Sequence, residues 1–570
     1  MIINNLYNKD EEITIESYLL KNNINDISEF INPTGKYIDN YSSYNNMDKA
    51  VKELKKHYEN NEDKIFIIQD PDVDGIVSAS ILYQYLKALK DWDISILMHT
   101  GKQRGISDID IFKKIKEEKP NLVIVPDAGS NDKEQIDELC NLGISYIALD
   151  HHIISTPSDY GILVNNQDEN SKVSKKGSGG LVTHKFLEAL DNEFNKEWSS
   201  WFIDMVALSL LSDSMDMSDQ QNRTYYHYGL ETMDCVNNIF LKECIKTFIN
   251  KDTYSQRDLS FKIIPKFNAI CRSKDQELKQ KLFLSFIGEY DISDMLVLCE
   301  EAHKKQQKTV ARVASIIDNN IDTIKKANKN NIVVFYSDDI PSSYSGLVGG
   351  KMMSICDNKP CIAGSIEDGY FLGSLRSPIS LGEELDNNEF VEWARGHEKA
   401  CGIKIKEENI DKLVEYYNNV TLDYTPHIDV LNSYSIKSIP NDLFGLFEPY
   451  NSLFGKGLPK PKYYVKDIII NPKMDIFILG ANRRTLKIRY NNIDIMIFNS
   501  TNQERLDLGL VNEEDKFVYD PKDIKLNLSV IGEFVINKWT SKYGKVNKNN
   551  QIIVDKFEVS KIKTVKDIFK

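Results

Sequence analysis

The sequence predicts an α/β protein in three parts: a parallel-sheet domain, a long helix leading to a smaller α/β domain, and a small closed β-barrel at the end. Three observations predict it. From Lys64 onward, short apolar runs alternate with amphipathic helical stretches, the pattern of parallel strands covered by helices. The segment CEEAHKKQQKTVARVASIIDNNIDTIKKANK, Cys299 to Lys329, is polar nearly all round at helical spacing, as a helix bridging two domains is. From about residue 460 the chain reads as five short strands with polar turns between them, enough for a small barrel.

Taken in order, residues 1–60 read as a polar helical extension. Residues 61–240 are the parallel-sheet domain. There KIFIIQ runs as a strand into DPDVDG, and IVSASILYQYLKALK follows at helical spacing. NLVIVPDAGS repeats the arrangement with the helical DKEQIDELCNLG behind it, and GISYIALDHH is the third such unit. Helices dominate 241–330, including the connector. A second α/β pattern starts at NIVVFYS and fills 331–425, and a linker rich in Pro, Gly and Asn covers 426–455. KYYVKDIIIN, RTLKIRY, IDIMIFNS, LNLSVIGEFVIN and QIIVDKFEVS are the five strands of 456–565.

At 570 residues the chain is long enough for several independently stable cores. No run of eighteen apolar residues is present, so no membrane span is expected. The start, MIINNLYNKDEE, lacks a basic segment followed by an apolar core, so no secretion signal is expected. Eight cysteines are scattered without CxxC pairs, and Cys356 and Cys361 have no second pair to complete a zinc knuckle. A reducing cytoplasm is the expected compartment. The net charge of −14 disfavours indiscriminate binding to nucleic acid. Residues 455–490 reverse that balance locally, with nine Lys or Arg against Asp467 and Asp475. A charge cluster is more often a solvated face than a site, so this one identifies nothing alone.

The chemistry gathers at strand ends. The first strand ends in Asp70, Asp72 and Asp74 ahead of Gly75, the second in Asp127, and the third in Asp150, His151 and His152. Adjacent parallel strands lie about 4.8 Å apart, so such ends converge in one crevice. Carboxylates that close repel one another and take up protons unless a cation neutralises them. Carboxylates with imidazole suit Mn²⁺ or Mg²⁺ better than zinc. Two ions about 3.5–4 Å apart need a shared carboxylate and suit in-line phosphoryl displacement. Downstream, DMVALSLLSDSMDM runs helically and then presents Asp213 and Asp216.

DPDVDG, PDAGS, LDHH and VALSLLSD, in this order and spacing, resemble the four motifs of the DHH phosphoesterase superfamily. PKFNAICR, Pro265 to Arg272, resembles a stretch of RecJ-type single-strand exonucleases. SGLVGGKMMS, GSLRS and RGHEKACGIKI resemble their DHHA1 domain, and LFGKGLPKPKYYV resembles the lead-in to their OB domain. The likeness runs from about residue 60 to about 560. It implies Asp72, Asp74, Asp127, His151 and Asp213 as ligands of two divalent ions, Mn²⁺ or Mg²⁺, with Asp127 as the bridge. Asp70 and His152 match positions close to the metals or the phosphate. Ile68 stands where some relatives have a histidine, which leaves Asp70 to complete that ion's shell. Relatives usually read Gly-Gly-His where this chain reads Arg395-Gly396-His397, with the histidine kept to donate to the scissile phosphate and Gly396 allowing close approach. Arg376 matches a phosphate clamp, with an edge-strand arginine in solvent as the competing reading. Lys102, Arg104 and Arg272 are candidates for a 5′-terminal phosphate.

The resemblance implies an exonuclease that removes nucleotides from single-stranded DNA, 5′ to 3′, in DNA repair or recombination. A cleft between the DHH and DHHA1 domains would exclude duplex, and the basic barrel would hold the strand, with Tyr463, Tyr464 and Trp539 as candidate stacking platforms. Single-stranded DNA, a single-strand-binding protein or a helicase are the partners so implied, and the chain is expected to act as a monomer. Two other readings compete. A phosphodiesterase of short oligonucleotides or cyclic dinucleotides would not need the barrel. A catalytically inactive replication scaffold would not need crowded carboxylates.

Overall fold

Residues Lys64–Gln69 (β1) are apolar at all four inner positions, so this strand must be covered on both faces. The computed structural model describes residues 2–8, 11–60, 63–99, 104–251, 253–341, 344–422, 427–480, 483–513, 516–519, 524–540 and 546–562. In it Ile65 and Ile67 enter one core while Phe66 and Ile68 enter another, as the alternation of a strand requires. The helix Val73–Leu89 (α1) follows β1. Asp93–Met98 (β2), Leu122–Pro126 (β3), Ser145–Asp150 (β4) and Ile162–Asn165 (β5) complete a five-stranded sheet in the order β2-β1-β3-β4-β5. Every pairing in it is parallel. The helices Gly179–Phe194 (α2) and Ile203–Ser212 (α3) pack with α1 on one face. Helices Ile109–Glu118 and Lys133–Asn141 cover the other.

The strand order decides where the site lies. β1 feeds β2 to one side, and β3 returns to its other side, so the order reverses between β1 and β3. A crevice opens at the carboxyl ends of strands at such a switch point. The edge strand β2 and the short β5 are absent from the sequence reading, because DISILM and ILVN lack the acidic ends that marked the other three.

The chain divides into two compact units. One holds residues 14–304 and 447–460, and the other holds 1–13, 305–446 and 461–570. The chain passes from the first to the second inside the helix Ile292–Asn319, and the stretch expected as one helix to Lys329 is divided there, with a separate helix Ile321–Ala327 beyond it. Two expected boundaries need correction. The N-terminal extension is helical over Ile15–Lys21, Ile27–Ile31 and Met47–Glu59, but Ile2–Asn5 is a strand paired in parallel with His427–Val430. Two β-branched isoleucines take the strand conformation because a distant partner offers its edge. Residues 447–460, assigned mostly to a linker, pack with the first unit instead.

In the second unit, strands Val391–His397, Ala400–Lys406, Tyr370–Arg376, Cys361–Glu367 and Val333–Tyr336 form a mixed sheet in that order, with the helix Ser345–Ile355 packed on it. All five strands expected near the C-terminus are present. They lie in a seven-stranded sheet that Ser433–Ser435 and Ile476–Leu479 extend at its two edges. The expected closure into a barrel does not occur among the described residues, since each of those edge strands pairs on one side only. Long strands Leu526–Thr540 and Val546–Lys561 pair along nearly their whole length, and the short flanking strands add at the margins rather than meeting.

Candidate metal centre

Each acidic group is placed by the turn that ends its strand. Asp72 caps α1, its carboxylate accepting from the Gly75 amide at 3.1 Å. Gly75 admits no side chain, because a Cβ there would lie 2.5 Å from the Asp70 carbonyl oxygen. Asp74, in the first turn of α1, meets the N-terminus of α2: Gly179 N–H donates to Oδ2 and Gly180 N–H to Oδ1, both at 2.9 Å. Ser209 in α3 also donates to Asp74, and Ser178 pairs with Ser209 at 2.6 Å. The N-terminal dipole of α2 thus supports the charge of Asp74. Asp127 follows β3 with φ +66°, a left-handed backbone rare for a residue with a side chain and characteristic of functional sites. Its N–H donates to Leu149 O on β4 at 2.8 Å. Gly179 lets it in, since a Cβ there would be 2.4 Å from Asp127 Oδ1. Asp213 caps the C-terminus of α3.

These groups converge. His151 Nε2 lies 3.1 Å from Asp127 Oδ1, 3.5 Å from Asp213 Oδ2 and 3.9 Å from Asp74 Oδ2. Three trios bring possible ligand atoms within 4.8 Å of one another: Asp74, His151 and Asp213; Asp70, Asp72 and Asp127; Asp127, His151 and His152. Asp127 belongs to two of them. Among the described residues neither oxygen of Asp127 or of Asp70 accepts a hydrogen bond, although both residues are buried. Burial and the neighbouring Asp74, Asp72 and Asp70 push the Asp127 carboxyl well above its ordinary range. Asp70 is raised by burial and by Asp72, and Asp213 is pushed up to about 7 by burial and by Asp74 and Asp72. Orphaned, mutually repelling carboxylates beside an imidazole fit hard divalent cations such as Mn²⁺ or Mg²⁺.

The two neighbouring histidines point to different partners, their rings 4.5 Å apart and tilted by 57°. His151 faces the carboxylates. His152 turns its Nδ1 to Asp150 Oδ1 at 2.8 Å and its Nε2 to Arg104 Nη1 at 2.6 Å. An arginine only donates, so His152 Nε2 accepts and Nδ1–H donates to Asp150. Burial disfavours charge on His152, but the bond to Asp150 outweighs it and raises its pKa. Asp150 also accepts from the backbone of His151, His152 and Ser130, and burial notwithstanding these partners hold it below the usual carboxylate range. Arg104 reaches Asp72 at 3.0 Å and Asp70 at 3.4 Å as well.

Sequence reasoning placed Asp70, Asp72, Asp74, Asp127, His151, His152, Asp213 and Arg104, and all eight meet here. It missed the supports: Asp150 as the clamp on His152, and Ser178, Gly179, Gly180 and Ser209 around Asp74. GSGG ahead of an apolar helical run, and a serine inside VALSLLS, are the signals that could have found them. Asp216 stands apart, paired with Lys176 at 2.6 Å. Arg272 is exposed at the end of the helix Ile264–Cys271. Lys102 lies outside the described residues.

The remaining candidates belong to the second unit. Arg376 is half-buried, donates to its neighbour Leu375 O at 2.7 Å and leaves no room for a Cβ at Gly346. Its strand has neighbours on both sides, so Arg376 does not stand on a sheet edge. Gly396 has φ +135° in a hairpin where His397 pairs with Ala400, and the His397 side chain lies outside the described residues. Tyr463 is not a stacking platform: it is 1% exposed and stacks on Phe534 at 4.0 Å within the core. Tyr464 is partly exposed and Trp539 is 47% exposed. The basic stretch is partly neutralised, Lys462 by Asp555, and Lys487 and Arg489 by Asp494. Lys466 and Lys473 are exposed and form no ion pair among the described residues.

Residues 64–210, from β1 to α3, match the DHH family, N-terminal domain. The whole chain is 27% identical to the putative SPbeta prophage-derived single-strand DNA-specific exonuclease YorK of Bacillus subtilis (strain 168), covering 100% of this chain and 99% of that protein. It is 24% identical to the single-stranded-DNA-specific exonuclease RecJ of the same organism, over 87% of this chain and 62% of RecJ. Residues 64–210 thus carry the N-terminal domain of the DHH family, and the chain as a whole is similar to RecJ-type exonucleases. Among solved structures, RecJ of Thermus thermophilus in complex with Mn²⁺ superposes with a TM-score of 0.70 at 18% identity, covering 96% of this chain and 76% of that one. Its Mg²⁺ complex gives 0.63 at 17%, covering 96% and 74%. At that identity the likeness is one of fold. No helix among the described residues is long and apolar enough to cross a membrane.

Proposed function

We propose that this RecJ-like chain is an exonuclease that hydrolyses phosphodiesters of single-stranded DNA from the 5′ end. The observation that carries the reading is the buried Asp127, unbonded at both oxygens among the described residues and shared by two trios of ligand-type groups. Asp74, His151 and Asp213 would hold one ion and Asp70 and Asp72 the other, with Asp127 between them. Bound Mn²⁺ or Mg²⁺ would supply Lewis acidity toward the scissile phosphate and the attacking water. His152, kept in one tautomer by Asp150, would exchange a proton through Nε2 with a phosphate or water oxygen that takes the place of Arg104 there. Arg104, Arg272 and Lys102 would neutralise a 5′-terminal phosphate, and Arg376, Gly396 and His397 would meet the scissile one. These last roles, like the 5′-to-3′ polarity and a task in DNA repair or recombination, rest on the motif resemblance. So do the DHHA1 and OB-type assignments of the second unit.

The names of the curated relatives favour single-stranded DNA over very short oligonucleotides, and the complete acidic set favours an enzyme over a scaffold. Digestion of 5′- and 3′-labelled single strands with Mn²⁺ tests the proposal. Mononucleotide is expected to appear first from the 5′ label, with duplex of the same sequence resistant. Early release of the 3′ label, or equal cutting of duplex, overturns it.

A further inference from the structure

Of the family's expected ligands, Asp213 is the least enclosed, with its side chain 34% exposed against 1% for Asp127 and 2% for Asp74. Its carboxylate accepts no hydrogen bond among the described residues, so the backbone that carries it must hold it in place. That backbone is an unusual turn. Ser214 has φ +56°, and Met215 N–H returns to Leu210 O on α3 at 3.0 Å. Asp216 is then held by Lys176 at 2.6 Å and by Asn222, which donates to its carbonyl at 3.0 Å, and a further hold comes from a distant segment. Met217 N–H donates to Lys456 O at 2.8 Å, and the Met217 side chain is fully buried.

Lys456 lies in FGKGLP, within the segment 447–460 that packs on the first unit. The segment is built to fit this turn. Gly455 N–H donates to Leu458 O at 3.0 Å, closing a tight loop with Leu458 buried. A Cβ on Gly455 would lie 1.9 Å from Gln256 Oε1, and one on Gly457 would lie 1.8 Å from Asp216 Oδ1. Gly457 also has φ +84°, which a side chain resists. Either side of the loop, Gln256 donates to Ser452 O at 2.9 Å and the Tyr18 hydroxyl to Pro459 O at 2.7 Å. The Tyr18 ring meets Phe447 and Phe454 edge-on at 5.7 and 6.3 Å.

We propose that residues 447–460 are a positioning strap for the metal centre: by gripping Met217 and packing closely on Asp216 through a glycine, they hold Asp213 facing His151. The proposal rests on the metal-centre reading. It gives the two glycines a task beyond linking. The strap makes part of the metal site depend on a segment some 240 positions downstream in the chain.

The test compares two glycines of similar backbone in the full-length protein. Gly143 has φ +80° with nothing within 4 Å of a Cβ, so Gly143→Ala imposes the same backbone strain without touching a neighbour. Gly457→Ala is expected to weaken Mn²⁺ binding by calorimetry roughly ten-fold or more, and to lower kcat on a short single strand with KM unchanged. Gly143→Ala should leave Mn²⁺ affinity at the parent value. Adding Asp216→Ala to Gly457→Ala removes the clashing oxygen and should recover most of the affinity. The strap is overturned if Gly457→Ala and Gly143→Ala bind Mn²⁺ alike, or if the loss merely follows an unfolded fraction seen by circular dichroism. A parent chain that binds no Mn²⁺ overturns the metal-centre reading itself.

Discussion

At the scale of the residue, Asp127 shows how function and stability oppose each other. Its carboxylate is buried beside four others and unbonded, so in the metal-free protein it is a cost that a cation offsets. Asp127→Asn keeps the shape and removes the charge. We expect the variant to lose at least roughly 100-fold in activity, since even outlying groups around a metal are worth 10–100-fold in affinity. Without metal it should melt above the parent, because repulsion with Asp74, Asp72 and Asp70 is relieved. Activity within a few-fold of the parent, in a standard digestion assay, would sink the shared-ligand reading. The paired histidines divide similarly. His151→Ala should weaken Mn²⁺ binding and be partly rescued by excess Mn²⁺, as its Nε2 faces Asp127 and Asp213. His152→Ala should slow turnover at saturating metal and leave affinity nearly unchanged, as its ring is committed to Asp150 and Arg104. Equal losses of affinity in a Mn²⁺ titration would make both rings ligands, a result the trio Asp127, His151 and His152 makes worth testing.

At the scale of the element, charge at the start of the seven-stranded sheet is less continuous than its sequence. Three of the nine basic residues of 455–490 are bound to Asp555 or Asp494, which removes them from a phosphate track. Lys466, on the strand Tyr463–Ile470, and Lys473, just beyond it, remain outward and unpaired among the described residues. Replacing both with Glu should weaken binding to long single strands and flatten its salt dependence. Each phosphate no longer neutralised takes about 0.7 from the slope of log K against log salt. Hydrolysis of a short oligonucleotide should hardly change. Binding of long strands at parental strength and parental slope would place the DNA elsewhere.

For the whole molecule, the metal centre makes stability depend on pH in a definite direction. Asp213, at about 7, and the raised Asp70 and Asp127 hold protons in the folded chain that the unfolded chain releases near pH 4. Because the folded chain binds more protons than the unfolded one over that interval, the stability of the metal-free protein falls as pH rises from about 4 through about 7. A divalent ion takes the place of those protons. The rise in Tm produced by Mn²⁺ should therefore be larger at about pH 8 than at about pH 6, measured by differential scanning fluorimetry. An equal or larger rise at the lower pH would show that the ion binds away from these carboxylates.

How much of this was legible in the sequence follows from which contacts are local. DPDVDG, PDAGS and LDHH name their own chemistry, because a strand running into a polar turn puts those side chains at its carboxyl end whatever the rest of the chain does. The ligand-type groups, the metal class and the parallel sheet were thus readable. Which strands stand side by side was not. β2 and β5 carry no acidic mark, yet sending β2 to the edge is what sets β1 against β3 and brings Asp70, Asp72 and Asp127 together. The same holds for Gly179 and Gly180, which meet Asp74 from more than a hundred residues away, and for Lys456, which holds the loop of Asp213. Barrel closure failed for a related reason, since local alternation shows that strands form but not which edges meet. The sequence by itself determined which carboxylates and imidazoles stand at the strand ends, because each depends on a few adjacent residues. Only the tertiary structure decided their neighbours and supports, because those contacts are set by packing between distant segments, which leaves no periodic trace along the chain.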